Sequence, residues 1–159
     1  MALEKNLNSK LKIRGYNYIE SADYRLYNNS NIANGYTGAI RAVARYNTNT
    51  SLLSHTETGG TGGASRWTFT ANCYCLLTVS QDVKGTTDTS YWWMGPKING
   101  SFIGRHLVRR SSEWDQFTFQ QSFQVTANQY LEIAWGDTNG LTSADGTDWS
   151  HYCFTMWQQ

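Results

Sequence analysis

The sequence predicts an all-β fold, an antiparallel sandwich or jelly roll. Three observations lead to this prediction. Apolar and polar residues alternate over several short segments, which is the period of a strand with one buried face. The segments are separated by loops rich in Gly, Asn, Ser and Thr, and none has a helical period. Only 16% of the 159 residues are charged, below the ~25% typical of globular domains, and a chain of this length forms about one domain.

The first 37 residues are predicted to form an extended N-terminal arm ahead of a domain over residues 38–159. The arm is rich in Asn and Tyr and shows little periodicity apart from one expected strand at residues 12–19. Such a segment buries little surface by itself, so it is either flexible or laid against a partner, and we expect the second. Its basic residues are the candidate partner contacts: Lys5, Lys10, Lys12, Arg14 and Arg25.

Period-two patterns then predict the strands of the domain in order. The first covers residues 39–46, and a polar loop over residues 47–66 follows. In Trp67–Val79 every odd-numbered residue is apolar. This segment is predicted to be a strand pair hinged near Ala71-Asn72, because Asn tolerates a positive φ.

The second half of the chain predicts further strands around two turn signals. Tyr91–Ile98 is interrupted by Gly95-Pro96, which indicates an edge strand or a bulge. Asn99-Gly100 indicates a hairpin, and a second Thr-Ala-Asn at residues 126–128 indicates another turn. The other predicted strands cover residues 101–108, 117–125, 130–135 and 151–157, and residues 81–90 and 136–150 are predicted loops.

The three cysteines are predicted to be free thiols. Cys73 and Cys75 are two residues apart, so a strand would place both side chains on one face. Together with the distant Cys153 they do not have the spacing of a zinc site. Buried free thiols suit a protein that is assembled in reducing cytosol.

The histidines do not predict catalysis. His55 lies in a predicted loop, His106 follows Arg105, and His151 begins the last strand. None of the three stands in a nucleophile elbow, and none has a recognisable acid and nucleophile beside it in sequence. The sequence therefore predicts a protein that is not an enzyme, with no catalytic residues and no cofactor.

One loop resembles a calcium-binding segment. Its candidate ligands are Asp137, Asn139, Asp145 and Asp148. It fails the EF-hand pattern because its sixth position is Thr142 rather than Gly and its last is Asp rather than Glu. Turn formation explains these residues equally well, so the prediction is no metal, and calcium remains the alternative.

Four aromatic residues are candidate ligand contacts, because flat rings suit the faces of sugars. They are Tyr91, Trp92, Trp93 and Trp114. Adjacent residues of a strand point to opposite faces, so at most one of Trp92 and Trp93 faces the core. Packing in a core or a subunit interface is the competing interpretation.

The charges are divided along the chain. Residues 1–110 contain all 13 Lys and Arg and carry a net charge of +7, whereas residues 111–159 carry −6. This division suits contact between neighbouring copies or with another surface, and mixing of both signs on one surface stays open. Arg105, His106, Arg109 and Arg110 form a basic cluster without the aromatic pattern of a nucleic-acid-binding fold. Neither a signal peptide nor a membrane span is expected.

Four phrases in order resemble the C1q/TNF-like jelly roll: FTANCYCLLTV, INGSFIG, FQVTANQYLEIAW and the terminal HYCFTMWQQ. The resemblance covers Gly38–Gln159. It departs from the family pattern at both turns, where Asn72-Cys73-Tyr74 replaces the usual Gly before Tyr and Asn128-Gln129-Tyr130 replaces Gly-Asp. Asn is the next-best residue for such turns.

This resemblance implies a homotrimer, since such domains assemble through aromatic-rich faces. Seven Trp and ten Tyr are more than one core of this size needs, and aromatic residues are favoured at interfaces. A short chain with a polar arm and no signal peptide also resembles bacteriophage virion components. Two such classes are trimeric capsid decoration (cement) proteins and the heads of tail fibres.

The predicted function is therefore that of a non-enzymatic bacteriophage virion protein, a homotrimeric capsid decoration protein that attaches through its N-terminal arm. It would be assembled in the host cytoplasm, with itself and phage capsid or tail proteins as partners. Neither nucleic acid nor a membrane is an expected partner. The alternative is a receptor-binding or lectin-like head of a tail fibre, or another adhesin, that contacts host glycan.

Overall fold

The structure, a computed structural model, describes residues 12–13, 16–26, 38–39, 42–46, 51–57, 65–85, 91–109, 114–136, 141–144 and 150–158. Within these residues the chain forms strands and no helix, as predicted, so no described segment is a helix that could cross a membrane. The strands are β1 (Lys12–Ile13), β2 (Tyr16–Leu26), β3 (Gly38–Ala39), β4 (Ala42–Tyr46), β5 (Leu53–Glu57), β6 (Ser65–Phe69), β7 (Cys73–Gly85), β8 (Tyr91–Ile98), β9 (Ser101–Phe102), β10 (His106–Arg109), β11 (Asp115–Val125), β12 (Tyr130–Gly136), β13 (Leu141–Ala144) and β14 (His151–Gln158).

The strands build two antiparallel sheets. The first sheet has the order β1-β2-β14-β7-β11, with β4 added to β2 and β13 added to β7. The second has the order β10-β8-β12-β6-β5, with β3 added to β12 and β9 added to β8. Neighbours within each sheet are mostly distant in sequence, as in a jelly roll, and the predicted fold class is confirmed.

The core lies between the sheets and follows the predicted alternation. The inward-facing Tyr152, Phe154 and Met156 of β14 are completely buried, and they meet inward residues of the second sheet. Trp67 of β6 packs on Phe154, with 5.3 Å between ring centroids. The other completely buried large side chains are Phe69, Leu53, Leu77, Met94, Leu131 and Ile133, with Trp135 nearly so. Because the period of two is a local property of a strand, the predicted inward faces of β7, β12 and β14 are confirmed.

The three cysteines lie on both sides of the first sheet. Cys73 and Cys75 are buried on the inner face of β7, as their spacing predicts, and Cys153 is half-buried on β14. All three are free thiols. Burial raises the pKa of the Cys75 thiol well above its usual value, which keeps this residue protonated and unreactive.

Part of the predicted N-terminal arm belongs to the sandwich, which corrects the division at residue 37. β2 pairs with β14 over seven residue pairs and also with β4. The strand predicted at residues 12–19 overlaps β1 and the start of β2. The length of β2 and its place in the sheet were not predicted because YNYIESADYRL has no clean alternation, whereas a strand with partners on both sides can satisfy its backbone whatever its side chains are. Residues 1–11 and 27–37 of the predicted arm lie outside the described residues.

The loop and turn predictions need two further corrections. Residues 53–57 form β5 within the predicted loop 47–66, and β7 and β13 extend into the two other predicted loops. The predicted pair hinged near Ala71-Asn72 is wrong, since β6 belongs to the second sheet and β7 to the first. The chain crosses between the sheets at this point and does not form a hairpin.

The second Thr-Ala-Asn is also a crossover, from β11 to β12, and it contacts the first. The side chain of Asn72 accepts a hydrogen bond from the Ala127 backbone N–H, at 2.9 Å. The Asn128 N–H donates to the Phe69 carbonyl at 2.7 Å. The positive φ that was expected at Asn72 occurs at Asn128, with φ 69°. Both copies of Thr-Ala-Asn thus lie at the same end of the sandwich, each where the chain crosses between the sheets, and hydrogen bonds join the two crossovers.

Candidate functional site

A group of aromatic and basic side chains covers part of the outer face of the second sheet. We call Trp93, Lys97, Phe102 and Arg105 the Trp93 cluster. The rings of Trp93 and Phe102 meet edge to face, with 4.7 Å between centroids. The Arg105 guanidinium lies 4.7 Å from the Trp93 centroid and 5.1 Å from that of Phe102, and Lys97 Nζ lies 4.6 Å from the Phe102 centroid. These are cation–π distances.

A hairpin and a bulge bring the Trp93 cluster together. The Asn99-Gly100 turn has positive φ at both residues, as predicted for a two-residue hairpin, and it places Phe102 opposite Lys97. Pairing resumes where His106 meets Met94. Three residues, 103–105, thus oppose the two residues Gly95-Pro96, and a bulge of this kind re-aims side chains. The predicted bulge is confirmed, and β8 is not an edge strand because it pairs on both sides.

Gly95 is required for this bulge. A β-carbon at Gly95 would lie 2.1 Å from the carbonyl oxygen of Gly104 and 3.3 Å from the Cα of Arg105. These are backbone atoms, which cannot rotate away as a side chain can. The Ile103 N–H also donates to the Pro96 carbonyl at 3.0 Å. The segment that carries Arg105 is therefore held close over the strand that carries Trp93.

The other sheet holds the same segment from its inner side. Gln121 of β11 donates from Nε2 to the Ile103 carbonyl at 2.8 Å, and its Oε1 lies 3.1 Å from His106 Nε2. The His106 ring stacks on Phe119, with 3.9 Å between centroids and 11° between planes. The predicted basic cluster is thus divided by the fold, because Arg105 lies on the outer face while His106 faces inward.

A second arginine on the outer face provides a comparison. Arg66 lies 3.9 Å from the centroid of the Tyr130 ring, and its Nη2 lies 2.8 Å from Glu132 Oε1. Glu132 is also directly opposite Lys97 in the sheet, yet its carboxylate bonds to Arg66. Among the described residues, neither Lys97 nor Arg105 lies in an ion pair.

A second surface lies where the two sheets end side by side. β10 ends the second sheet and β11 ends the first, and the His106 and Gln121 contacts join them. We call this side of the sandwich the β10–β11 edge. The 11-residue β11 has no Lys, Arg or Pro, the residues that commonly protect edge strands from pairing with other chains. Its inward-facing Phe117 and Phe123 are only half-buried.

Exposed apolar side chains concentrate on the β10–β11 edge. Within the described part of the chain, the large hydrophobic side chains that are exposed are Leu107 at 71%, Trp114 at 50% and Ile103 at 36%. Leu107 lies on β10, Ile103 shortly before it, and Trp114 directly before β11. Exposed large apolar side chains on the strands at one side of a domain indicate an interaction surface.

The predicted ligand contacts have different places in the fold. Trp93 is half-buried on the outer face of the second sheet, whereas Trp114 precedes β11 in the first sheet, so the structure does not join them into one platform. Tyr91 and Trp92 belong to β8, but their side chains lie outside the described residues. Lys97 and Phe102 were missed, although the Asn99-Gly100 turn signal by itself predicts that they are opposite each other.

The predicted capsid and calcium contacts are largely undescribed. Lys12 lies on β1 and Arg25 on β2, without described side chains, while Lys5, Lys10 and Arg14 lie outside the described residues. The calcium candidates Asp137, Asn139, Asp145 and Asp148 also lie outside them. Among the residues that are described, no group of three or more His, Cys, Asp or Glu side chains is placed to hold a metal ion.

One serine–histidine pair was not predicted. His55 Nε2 lies 3.0 Å from Ser65 Oγ, as in a hydrolase. However, Ser65 is completely buried; its hydroxyl donates to the Ala42 carbonyl at 2.9 Å and accepts the Ala42 N–H at 2.7 Å. The single hydroxyl proton is thus used, so His55 must donate to Ser65 and cannot act as its base. The pair fastens β4 to β6.

Protonation of His55 is expected to destabilise the fold. Burial lowers the pKa of His55 from its usual 6.5, and the charge of Glu57 opposes this shift. Below pH 6.5 the unfolded chain therefore binds more protons than the folded one, so the free energy of unfolding falls as the pH falls from 6.5 through the lowered pKa. We expect urea unfolding at a series of pH values to show this loss in the wild type and a smaller one in His55→Gln. Parallel curves would contradict the prediction.

Comparisons with known proteins show the fold. No family model matches the chain, and no curated protein matches it. Murine APRIL is structurally similar, with a TM-score of 0.59 and 10% sequence identity over 85% of this chain and 96% of that one. A family 35 carbohydrate-binding module from Clostridium thermocellum has a TM-score of 0.41 and 12% identity over 86% of this chain and 98% of that one, which is too distant to bear on function. At this identity the likeness to APRIL shows the jelly-roll fold and nothing finer.

Proposed function

We propose that this protein is a non-enzymatic, homotrimeric structural protein of a bacteriophage virion, a capsid decoration protein. The observation that carries the oligomeric part is the β10–β11 edge. It combines a long edge strand without Lys, Arg or Pro, two half-buried phenylalanines and the exposed Ile103, Leu107 and Trp114. In a monomer such an edge would invite non-specific pairing, whereas a closed ring of identical subunits would cover every copy.

The attachment part of the proposal rests on the N-terminal segment. It contains Lys5 and Lys10, within residues 1–110, whose net charge is +7. Such basic residues suit an acidic capsid surface. The absence of catalysis in this proposal is supported by the His55–Ser65 pair, whose hydroxyl is buried and bonded to Ala42.

Light scattering of the purified protein tests the trimer. We expect a mass three times the 18.0 kDa of one chain. Lysines at two exposed positions of β11, in the double variant Thr118→Lys/Ser122→Lys, should shift the species toward monomer, because edge charges prevent strand pairing and burial. Ser54→Lys, at an exposed position of β5 on the opposite edge, is the control and should stay trimeric. A wild-type monomer would contradict the proposal.

Addition of the protein to phage particles that lack it tests attachment. Deletion of residues 1–11 should abolish binding to the particles while the trimer persists, because this deletion spares β1 and β2. Deletion of all 37 residues is unsuitable because it would remove β2 from the sheet. Lys5→Glu/Lys10→Glu should weaken attachment and reduce the loss of attachment that added salt causes in the wild type, because salt screens the attraction that these lysines provide. Undiminished attachment of both variants would argue against the N-terminal segment as the anchor.

The second candidate function is that of a receptor-binding or lectin-like head. The Trp93 cluster favours it, because half-exposed rings on a rigid sheet face are typical of sites that contact sugars. The two functions predict different binding sites. A decoration protein would bind the capsid through its N-terminal segment, whereas a tail-fibre head would bind its receptor through the outer face of the second sheet. A protein without residues 1–11 that still blocks adsorption of phage to cells would favour the head.

A further inference from the structure

We propose that the Trp93 cluster binds an acidic sugar residue, a pyranose that carries a carboxylate. This inference rests on the second candidate function and names its ligand class. The rings of Trp93 and Phe102 would contact the apolar face of the sugar, and Arg105 and Lys97 would bind its carboxylate. No single neutral or purely apolar ligand would use all four side chains.

The outer face of the second sheet has a net positive charge at the Trp93 cluster, which favours an acidic ligand. The charged side chains described on this face are Arg66, Lys97, Arg105 and Glu132, which sum to two net positive charges. The fold compensates Arg66 with Glu132 at 2.8 Å, although the same carboxylate lies opposite Lys97. Arg105 and Lys97 instead meet only rings among the described residues. A guanidinium stacked on a ring keeps N–H groups for a carboxylate, which it binds through two parallel hydrogen bonds.

The strand order excludes a peptide that pairs with β8. β8 pairs with β12 on one side and with β9 and β10 on the other. Its backbone groups are therefore used, and a peptide could not extend the sheet here. Recognition must occur through side chains, and the side chains present are two flat rings and two cations within one hairpin, about the extent of one sugar ring.

The site is also held in place before any ligand arrives. The bulge over Gly95 fixes the segment 103–105 from the second sheet, and Gln121 fixes it from the first, through Ile103 and His106. A ligand would then lose little binding free energy to ordering of the loop. Gln121 is in this sense a positioning residue for Arg105.

Calorimetric titration with oligogalacturonate tests the proposal, and its methyl ester is the matched neutral ligand. We expect the acid to bind and the ester to bind at least about tenfold more weakly, since the ester cannot accept charge-assisted hydrogen bonds. Arg105→Ala and Trp93→Ala should each weaken binding of the acid about tenfold. Arg105→Lys should bind the acid more tightly than Arg105→Ala but more weakly than the wild type, because lysine cannot form two parallel hydrogen bonds with a carboxylate.

The double variant Arg66→Ala/Glu132→Ala is the control, since it removes a ring-stacked cation together with the carboxylate that neutralises it and leaves the net charge of the face unchanged, and it should leave affinity within about twofold. Far-ultraviolet dichroism checks the fold of each variant, and because Arg105 is exposed its variants retain the core. Equal binding of acid and ester would overturn the role of charge, and binding of polyglutamate but not of the sugar would overturn the ligand class. Blocking of phage adsorption to cells tests the head function independently, so a protein that blocks adsorption but does not bind oligogalacturonate would overturn the ligand class and not the head function.

Discussion

Trp67→Ala is expected to lower the free energy of unfolding by about 3–5 kcal/mol, the usual cost of truncating a buried large aromatic side chain. Trp67 is completely buried and joins the two layers. Its ring stacks on His55 of β5 at 5.3 Å and packs on Phe154 of β14 at 5.3 Å. Because the lost contacts belong to both sheets, neither sheet can move in to fill the cavity without losing its register. Domains of this size have a total stability of about 5–15 kcal/mol, so this single substitution should remove a substantial fraction of it.

Urea unfolding followed by tryptophan fluorescence and by dichroism measures this effect, at one fixed protein concentration because assembly contributes to stability. Trp114→Ala is the matched control, and both substitutions are compared in the Thr118→Lys/Ser122→Lys protein, which is expected to be monomeric, because Trp114 lies on the edge proposed for trimer contact. It truncates the same residue type at a site that is 50% exposed, and we expect a loss of less than about 1 kcal/mol. Equal losses in the two variants would show that Trp67 is not the bridge that its contacts indicate.

Ser65→Ala is expected to cost about 2–4 kcal/mol, although it removes a single oxygen atom. The hydroxyl is the partner of both the N–H and the carbonyl of Ala42, and it also accepts from His55. Ala42 is completely buried, so water cannot replace these hydrogen bonds, and each buried group left without a partner costs about 1–3 kcal/mol.

Hydrogen exchange gives a local measure of the same change. Under native conditions the amide of Ala42 should lose protection from hydrogen exchange in Ser65→Ala, while the amides that pair β7 with β14 keep theirs. Ser54→Ala is the control, because Ser54 is an exposed serine on the neighbouring strand. If the Ala42 amide stayed protected in Ser65→Ala, it would have another hydrogen-bond partner, and the Ser65 hydroxyl would not be the group that links β4 to β6.

The sequence predicted the faces of strands better than the partners of strands. Alternation in β12 and β14 identified their inward residues correctly, because burial on one face of a strand has a period of two whatever strand lies beside it. The same pattern in Trp67–Val79 did not reveal that β6 and β7 belong to different sheets. Hairpin and crossover begin with the same local turn chemistry, and the difference is decided by contacts such as that of Asn72 with Ala127.

The candidate site was predicted only in part. Trp93 was singled out as an exposed aromatic residue, and the bulge at Gly95-Pro96 was expected. Arg105 was assigned to a basic cluster with His106, because neighbours in sequence were taken as neighbours on the surface. The bulge separates them and turns Arg105 onto the ring of Trp93. No property of residues 103–105 by themselves predicts that rotation, which depends on the close approach of Gly104 to Gly95.

The amino-acid sequence by itself determined that this chain is a β-sandwich, which residues of its strands face inward, and that Asn99-Gly100 closes a hairpin. These properties depend on side chains within a few residues of one another. The tertiary structure alone decided that β2 is a member of the first sheet, that Ser65 and His55 fasten a buried strand and do not form a reactive pair, and that two cations remain on aromatic rings without an acidic partner among the described residues. Each of these depends on groups that are distant in sequence, and their meeting is fixed by the packing of the whole sandwich.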